Sequence, residues 1–513
     1  MITKTVAVAA VVLAAVAASV VTPAAATGPV WTDCADPAHP GYQCTTLDVP
    51  LSYQDPSGPT VRLALGRLPA VDQAHKLGTI VYNPGGPGVS GRFAPPLTPG
   101  LHQRYDLVGF DPRGVGASTP VRCFTDPKQL DVVSKAVGTF PVTYEQSQEQ
   151  LAAVRYFTGL CAKNGGPLLS HLSTAVVARD LDRIRAALGE DKLRYYGLSY
   201  GTVLGQTYAN MFPDHVAAMV LDAADDTVNW FTGYRPQDAD VPFSVRLGAF
   251  NGAQDALQTF LRACAASPKC AFRGGDLNVK YDALLDRLAK GPVRITDPAT
   301  GKPTVVDYPA LVTQVDQALT FQRDAPKLAD LLQAVRTAPD APAATSSPEP
   351  TPALALAPTG ATPIKTPVDS LVAGGATFCA DTVNPATPEL WWSYASQANQ
   401  QVRGFGPEDA YKSLPCPLWP DRTQDTYRGP WDRETAVPVL VLGNQLGDPE
   451  TPFDGAQRVV RNLGNARLLA LDAYGHGSLG QSACVGQAVD RYFGAGTLPA
   501  PGTVCVPDHR PFE

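Results

Sequence analysis

Short apolar runs alternate with amphipathic stretches through the first half of this chain, break off, and resume near its end. Gly78–Tyr82 (GTIVY) and Tyr105–Phe110 (YDLVGF) are bounded by Gly and Pro, the pattern of strands buried on both faces. Residues 175–188 set Val176, Val177, Leu181, Ile184 and Leu188 on one stripe ahead of Gly189, which predicts an amphipathic helix. A strand at 193–196, a helix at 202–212 and a strand at 216–221 follow. This succession predicts an α/β protein with a mostly parallel sheet covered on both faces.

The alternation lapses after Asp226. Residues 227–430 read as mainly helical, as over 254–264, with scattered prolines. Within them, 337–367 is rich in Pro, Ala, Thr and Ser and has little to bury, so it reads as a surface insertion without a fold of its own. Strand patterns return at 437–442 (VPVLVL) and 466–471 (ARLLAL). The predicted organisation is a core in two parts, 27–226 and 431–513, interrupted by a helical cap over 227–430.

The first 26 residues read as an export signal. Lys4 is the only charge before the apolar run Val6–Val21, and Ala24-Ala25-Ala26 supplies a small-residue cleavage site. Sixteen apolar residues are short for a membrane span. The mature chain is expected outside the cytoplasm, secreted or in the cell envelope, without stable membrane insertion. Ten cysteines follow the cleavage site, an even number that in an exported chain points to disulfides. Short loops favour 34–44, 264–270, 379–416 and 484–505, which leaves 123–161. With no C-x-x-C and no His/Cys cluster, neither a metal nor a cofactor is called for. The formal net charge of −7 over 513 residues argues against nucleic acid as a partner.

Gly197-Leu198-Ser199-Tyr200-Gly201 matches G-x-S-x-G between a predicted strand and helix, the setting in which a strained turn holds a serine hydroxyl above a sheet. Such a serine needs a base. Among seven histidines only His215, His476 and His509 follow Ser199. His215 lies in a turn just past the nucleophile helix and His509 in the terminal tail. His476, in YGHG beyond the strand at 466–471, is the predicted base. Asp448, after the strand at 437–442, is the predicted third member, with Glu450, Asp454 and Asp472 as rivals.

Residues 82–91, YNPGGPGVSG, contain a G-x-G-x-x-G string with Asp111 further along. A dinucleotide loop would open a helix at once, but Pro95, Pro96 and Pro99 oppose one, and Asp111 belongs to a second turn, DPRGVG. The loop fits acyl transfer better. Gly85 and Gly86 would bring backbone amides to a developing oxyanion, opposite the amide of Tyr200.

Together NPGGPGVSG (83–91), YDLVGFDPRGVGAS (105–118), GLSYGTVLGQTYANMFPDHV (197–216), GDPETP (447–452) and the segment 474–505 resemble the secreted tripeptidyl aminopeptidase group of α/β-hydrolases, relatives of prolyl iminopeptidases. The resemblance runs from Trp31 to Cys505. It implies an α/β-hydrolase core with a helical cap, Ser199 as nucleophile, Asp448 as acid, His476 as base, and an oxyanion loop at Gly85 and Gly86 with Tyr200. It implies a secreted serine exopeptidase acting on a peptide near a free N-terminus. A carboxylesterase taking a small ester would use the same apparatus. A non-catalytic envelope-binding protein is opposed by the intact triad candidates. Ala223-Ala224 replaces a glycine-valine pair common in the group. For a substrate ammonium, Asp225, Asp226, Asp238 and Asp240 are candidates by location alone. Oligomeric state is left open.

Overall fold

A computed structural model describes residues 28–339, 368–420 and 425–513. The predicted signal and nearly all of the Pro/Ala-rich insertion lie outside the described residues. Twelve strands are formed among the described residues: β1 (Thr32–Asp33), β2 (Gln43–Pro50), β3 (Thr60–Leu68), β4 (Gly78–Asn83), β5 (Tyr105–Asp111), β6 (Leu193–Leu198), β7 (Val216–Asp222), β8 (Val293–Thr296), β9 (Pro303–Val306), β10 (Val439–Asn444), β11 (Ala466–Leu471) and β12 (Val504–Cys505). Ten of them form one sheet in the order β1-β2-β3-β5-β4-β6-β7-β10-β11-β12. The strands β1, β2, β3 and β5 pair antiparallel, and every pairing from β5 onward is parallel.

All six predicted strands form. Their residues divide between two cores with a period of two. Val81, Met219, Leu221, Val439 and Val441 face Leu181, Ile184 and Leu204, while Ile80, Tyr82, Val220, Leu440 and Leu442 face Leu101, Val485 and Val489. Both faces are covered, and so these strands read as continuous apolar runs. The antiparallel pair β2–β3 escaped the sequence pattern. Thr45, Thr46, Asp48 and Arg62 put polar side chains into it, as expected near a sheet edge.

The helices Ala249–Ala266, Leu277–Leu288, Tyr308–Leu319, Ala325–Thr337, Trp391–Gln401 and Phe405–Lys412 pack into a third apolar cluster, the cap. Two departures from the expected organisation appear there. The cap contains a hairpin, β8–β9. It also takes Phe140, Leu151 and Val154 from the first core segment, while Val372, Ala373 and Ala376 of helix Val368–Asp381 join the sheet core instead. Burial follows spatial neighbours, and a boundary drawn along the chain cannot anticipate that.

The ten cysteines form the five expected pairs, 34–44, 123–161, 264–270, 379–416 and 484–505. Among the described residues no helix is long and apolar enough to cross a membrane.

Candidate active site

The sheet gathers the candidate residues at the carboxyl ends of adjacent parallel strands, where loops meet above an open sheet. Ser199 follows β6 and precedes helix Tyr200–Met211 at φ 58, ψ −130, a strained geometry for a residue with a Cβ. The motif glycines explain how strand and helix tolerate this turn. A Cβ on Gly197 would come within 2.3 Å of the Gly201 carbonyl oxygen, and one on Gly201 within 2.6 Å of the Asn83 carbonyl oxygen.

The loop after β4 meets that turn backbone to backbone. Gly85 adopts φ 95, and a Cβ built on it would lie 2.8 Å from Ser199 Cβ and 2.9 Å from the Tyr200 nitrogen. Its own N–H donates to Asn83 Oδ1 at 3.0 Å. Among the described residues the amides of Gly86 and Tyr200 have no acceptor. Of the two expected loop donors, Gly86 therefore has the open amide, while Gly85 supplies the close approach. Asp111, set aside as a ribose ligand, braces the loop by accepting from Ser90 Oγ, Arg92 N and Ala117 N.

His476 Nδ1 lies 3.0 and 3.2 Å from the two carboxylate oxygens of Asp448. Asp448 is 1% exposed and accepts the amides of Glu450 and Thr451 and the Thr451 hydroxyl, so its oxygens are held in place. Burial opposes charging the imidazole. Asp448, Glu450 and Asp225 outweigh it and push the pKa of His476 up to about 9. Ser199 Oγ has no hydrogen-bond partner among the described residues, and nucleophile–base contacts in unliganded sites are often loose.

Of the rivals, Glu450 adds its charge to the field on His476, and the others lie elsewhere. Asp454 pairs with Arg458, Asp472 accepts from Gln445, and His215 Nδ1 lies 2.8 Å from Asp182. His509 is exposed. Of the four candidate ammonium anchors, Asp226 pairs with Arg458 at 2.6 Å, Asp238 pairs with Arg235, and Asp240 is exposed. Asp225 alone lies in the field of His476 and Asp448.

Several positioning residues were missed. Asp222, last in β7, accepts the Ser478 and Leu479 amides and the Tyr196 hydroxyl through its carboxylate, while its carbonyl accepts from Ser199 N–H at 3.0 Å. One residue thus anchors the serine and histidine turns together. Asn444, last in β10, donates to the Gly475 and Gly477 carbonyls. Both are polar residues ending apolar strands, a signal readable in the sequence. Thr174 was not readable: its hydroxyl bonds both the Tyr200 hydroxyl and Asp381 of helix Val368–Asp381. Ala223 sits at φ 54, a conformation glycine reaches without strain.

Residues 78–278 match the family model described as alpha/beta hydrolase fold, and residues 400–505 match that described as TAP-like protein. The chain is 30% identical over 521 residues to a tripeptidyl aminopeptidase of Streptomyces lividans, covering 95% of this chain and 88% of that protein. The chain belongs to the tripeptidyl aminopeptidase family of α/β-hydrolases. It is an enzyme, a serine hydrolase. Two mycobacterial relatives widen the picture. Serine protease Hip1 of Mycobacterium bovis is 38% identical over 276 residues, covering 51% of this chain and 49% of that protein. A protein of Mycobacterium tuberculosis named carboxylesterase B is 32% identical over 498 residues, covering 91% and 86%.

Proposed function

We propose that this enzyme is an exported aminopeptidase that cleaves peptides near a free N-terminus through an acyl-enzyme on Ser199. The observation that carries the chemistry is the Asp448–His476 pair, joined to the Ser199 turn through Asp222. In this reading Ser199 attacks the scissile carbonyl as His476 takes its proton, with Asp448 holding the ring and balancing its charge. The amides of Gly86 and Tyr200 receive the oxyanion. His476 then protonates the leaving amine, and water clears the acyl group from Ser199. The peptidase names carried by the relatives support an amide substrate. The N-terminal leader pattern and five disulfides support export.

The relative named carboxylesterase B favours a second reading, hydrolysis of small esters by the same groups. A free-amine tripeptide anilide, its N-acetylated form and a short-chain nitrophenyl ester separate the two. The aminopeptidase cleaves the first far faster than the second. Equal cleavage of blocked and free peptides sinks that reading, and failure of Ser199 to label with a fluorophosphonate sinks the triad.

A further inference from the structure

Helix Val368–Asp381 belongs by sequence to the stretch that builds the cap, yet its Val372, Ala373 and Ala376 pack into the sheet core. There it meets the oxyanion loop. A Cβ on Gly88 would run into the Ser370 carbonyl oxygen and lie 3.1 Å from Gly374 Cα. One on Gly374 would run into the Pro87 carbonyl oxygen and lie 3.3 Å from Gly88 Cα. Loop and helix thus touch backbone to backbone just past Gly86, which only glycines on both sides permit. Ser370 Oγ also accepts from Gly116 N–H at 2.9 Å, so the same helix holds the DPRGVG turn whose Asp111 braces the loop.

The far end of the helix reaches the nucleophile turn. Asp381 is fully buried and accepts from Thr174 twice, from its N–H at 2.9 Å and from its hydroxyl at 2.6 Å. Thr174 opens helix Thr174–Ala187, whose positive end suits a carboxylate. The Thr174 hydroxyl oxygen also lies 2.7 Å from the Tyr200 hydroxyl. With Thr174 donating to Asp381, the Tyr200 hydroxyl donates to Thr174. Tyr200, whose backbone N–H is open, therefore has the tip of its side chain tied to the last residue of the helix. The helix is itself fixed to its surroundings by the Cys379–Cys416 bridge and by Thr377, whose hydroxyl donates to the Leu172 carbonyl at 2.9 Å.

We propose that helix Val368–Asp381 sets the spacing and aim of the two oxyanion donors. Gly374 positions the loop that carries the Gly86 amide, and Asp381, through Thr174, positions Tyr200. This rests on the assignment of those two amides to the oxyanion, made above. Gly374, Thr174 and Asp381 are positioning residues, acting through Gly86 and Tyr200 and not on the substrate. Two donors on separate segments must aim at one oxygen, and a shift of about 1 Å can cost on the order of 100-fold in rate. Peptide and ester pass through the same kind of oxyanion, so both depend on the clamp.

Neighbouring glycines of the helix supply the test. A methyl on Gly374 meets the loop, whereas one on Gly375 meets nothing within 4 Å, and alanine suits a helix better than glycine at both. The full mature chain is compared with Gly374→Ala, Gly375→Ala, Thr174→Val and Thr174→Ser on a free-amine tripeptide anilide and on nitrophenyl butyrate, with active sites titrated. Affinity for an alkyl trifluoromethyl ketone is measured alongside. Ser199 Oγ adds to the ketone carbon, its proton passes to His476, and the carbonyl oxygen becomes the oxyanion. Gly374→Ala and Thr174→Val are expected to lower kcat at least about tenfold on both substrates, to leave KM within about threefold, and to weaken the ketone by the same factor as kcat. Gly375→Ala and Thr174→Ser are expected to stay within about threefold of wild type in every measurement. If Thr174→Val does not fold, Tyr200→Phe takes its place, cutting the tether while leaving the Thr174–Asp381 bonds. An equal loss in Gly375→Ala, or ketone affinity at the wild-type level while kcat falls, gives the helix a merely structural role and overturns the proposal. Unchanged kinetics in folded Gly374→Ala or in the tether variant, when Gly85→Ala has lost its kcat, overturns the clamp and leaves the oxyanion site standing. If Gly85→Ala keeps wild-type kcat, the oxyanion reading falls and the clamp with it.

Discussion

Replacing Gly85 by Ala tests whether the YNPGGPGVSG loop completes the oxyanion site. The new methyl would stand 2.5 Å from the Leu198 carbonyl oxygen, 2.8 Å from Ser199 Cβ and 2.9 Å from the Tyr200 nitrogen. Backbone atoms dominate these contacts, so the clash cannot be relieved by rotating a side chain. Loop and nucleophile turn must move apart by roughly 0.5–1 Å to reach ordinary van der Waals separation. Losing one oxyanion donor costs about 100- to 1000-fold in kcat, or roughly 3–4 kcal/mol. The backbone conformation, φ 95, adds about 1–2 kcal/mol of strain for any residue with a Cβ. Gly41→Ala separates the two effects, because Gly41 has φ 84 but nothing within 4 Å of the added methyl. Steady-state kinetics on the preferred substrate, normalised by active-site titration and set beside thermal melts, should find kcat down at least about 100-fold for Gly85→Ala. KM should change little, and Gly41→Ala should show only a small drop in melting temperature. If Gly85→Ala keeps a third of wild-type kcat, or Gly41→Ala loses as much activity, the oxyanion assignment of this loop is wrong.

With the His476 pKa raised to about 9, the base is protonated at neutral pH, so kcat/KM on an uncharged ester should climb about tenfold per pH unit and level off near pH 9. A half-maximum below pH 7.5 contradicts the field described. The same shift ties stability to pH: the contribution of His476 is complete below its unfolded pKa near 6.5 and is lost as pH rises through 9. Asp222→Asn sets an amide where a carboxylate accepts from two backbone N–H groups and the Tyr196 hydroxyl. It should cost about 2–4 kcal/mol in denaturant melts and lower kcat more than it raises KM, and unchanged values of both would dismiss its anchoring role. Replacing Cys123 and Cys161 by Ala opens a bridge spanning 38 residues, worth about 4 kcal/mol by loop entropy, which calorimetry under non-reducing conditions would detect. A melting temperature within a degree of wild type would show the pair adds little.

Much of the candidate site was readable along the chain because its determinants are local. The strand before Ser199 is an apolar run, its turn needs glycines on either side, and the helix follows at once. Asp448 and His476 likewise lie just beyond apolar strands, so their height above the sheet follows from strand length. The approach of the loop at 83–91 to the Ser199 turn was legible, but the division of labour within it was not. Whether Gly85 or Gly86 offers a free amide depends on where the Asn83 side chain turns. The anchoring role of Asp222 needed the pairing of β7 with β6 and β10, which brings its carboxylate under a turn 256 residues away. The group of acids Asp316, Glu408 and Glu450, which lie in one another's field, was invisible for a related reason. Its members come from two cap helices and a core loop, and each alone reads as a solvated charge on an amphipathic surface. Sequence patterning determines which face of an element is apolar and where a strand must end. Only the packing of cap on core decides which polar side chains are then brought together, because their pKa shifts arise from burial and from neighbours remote in the chain.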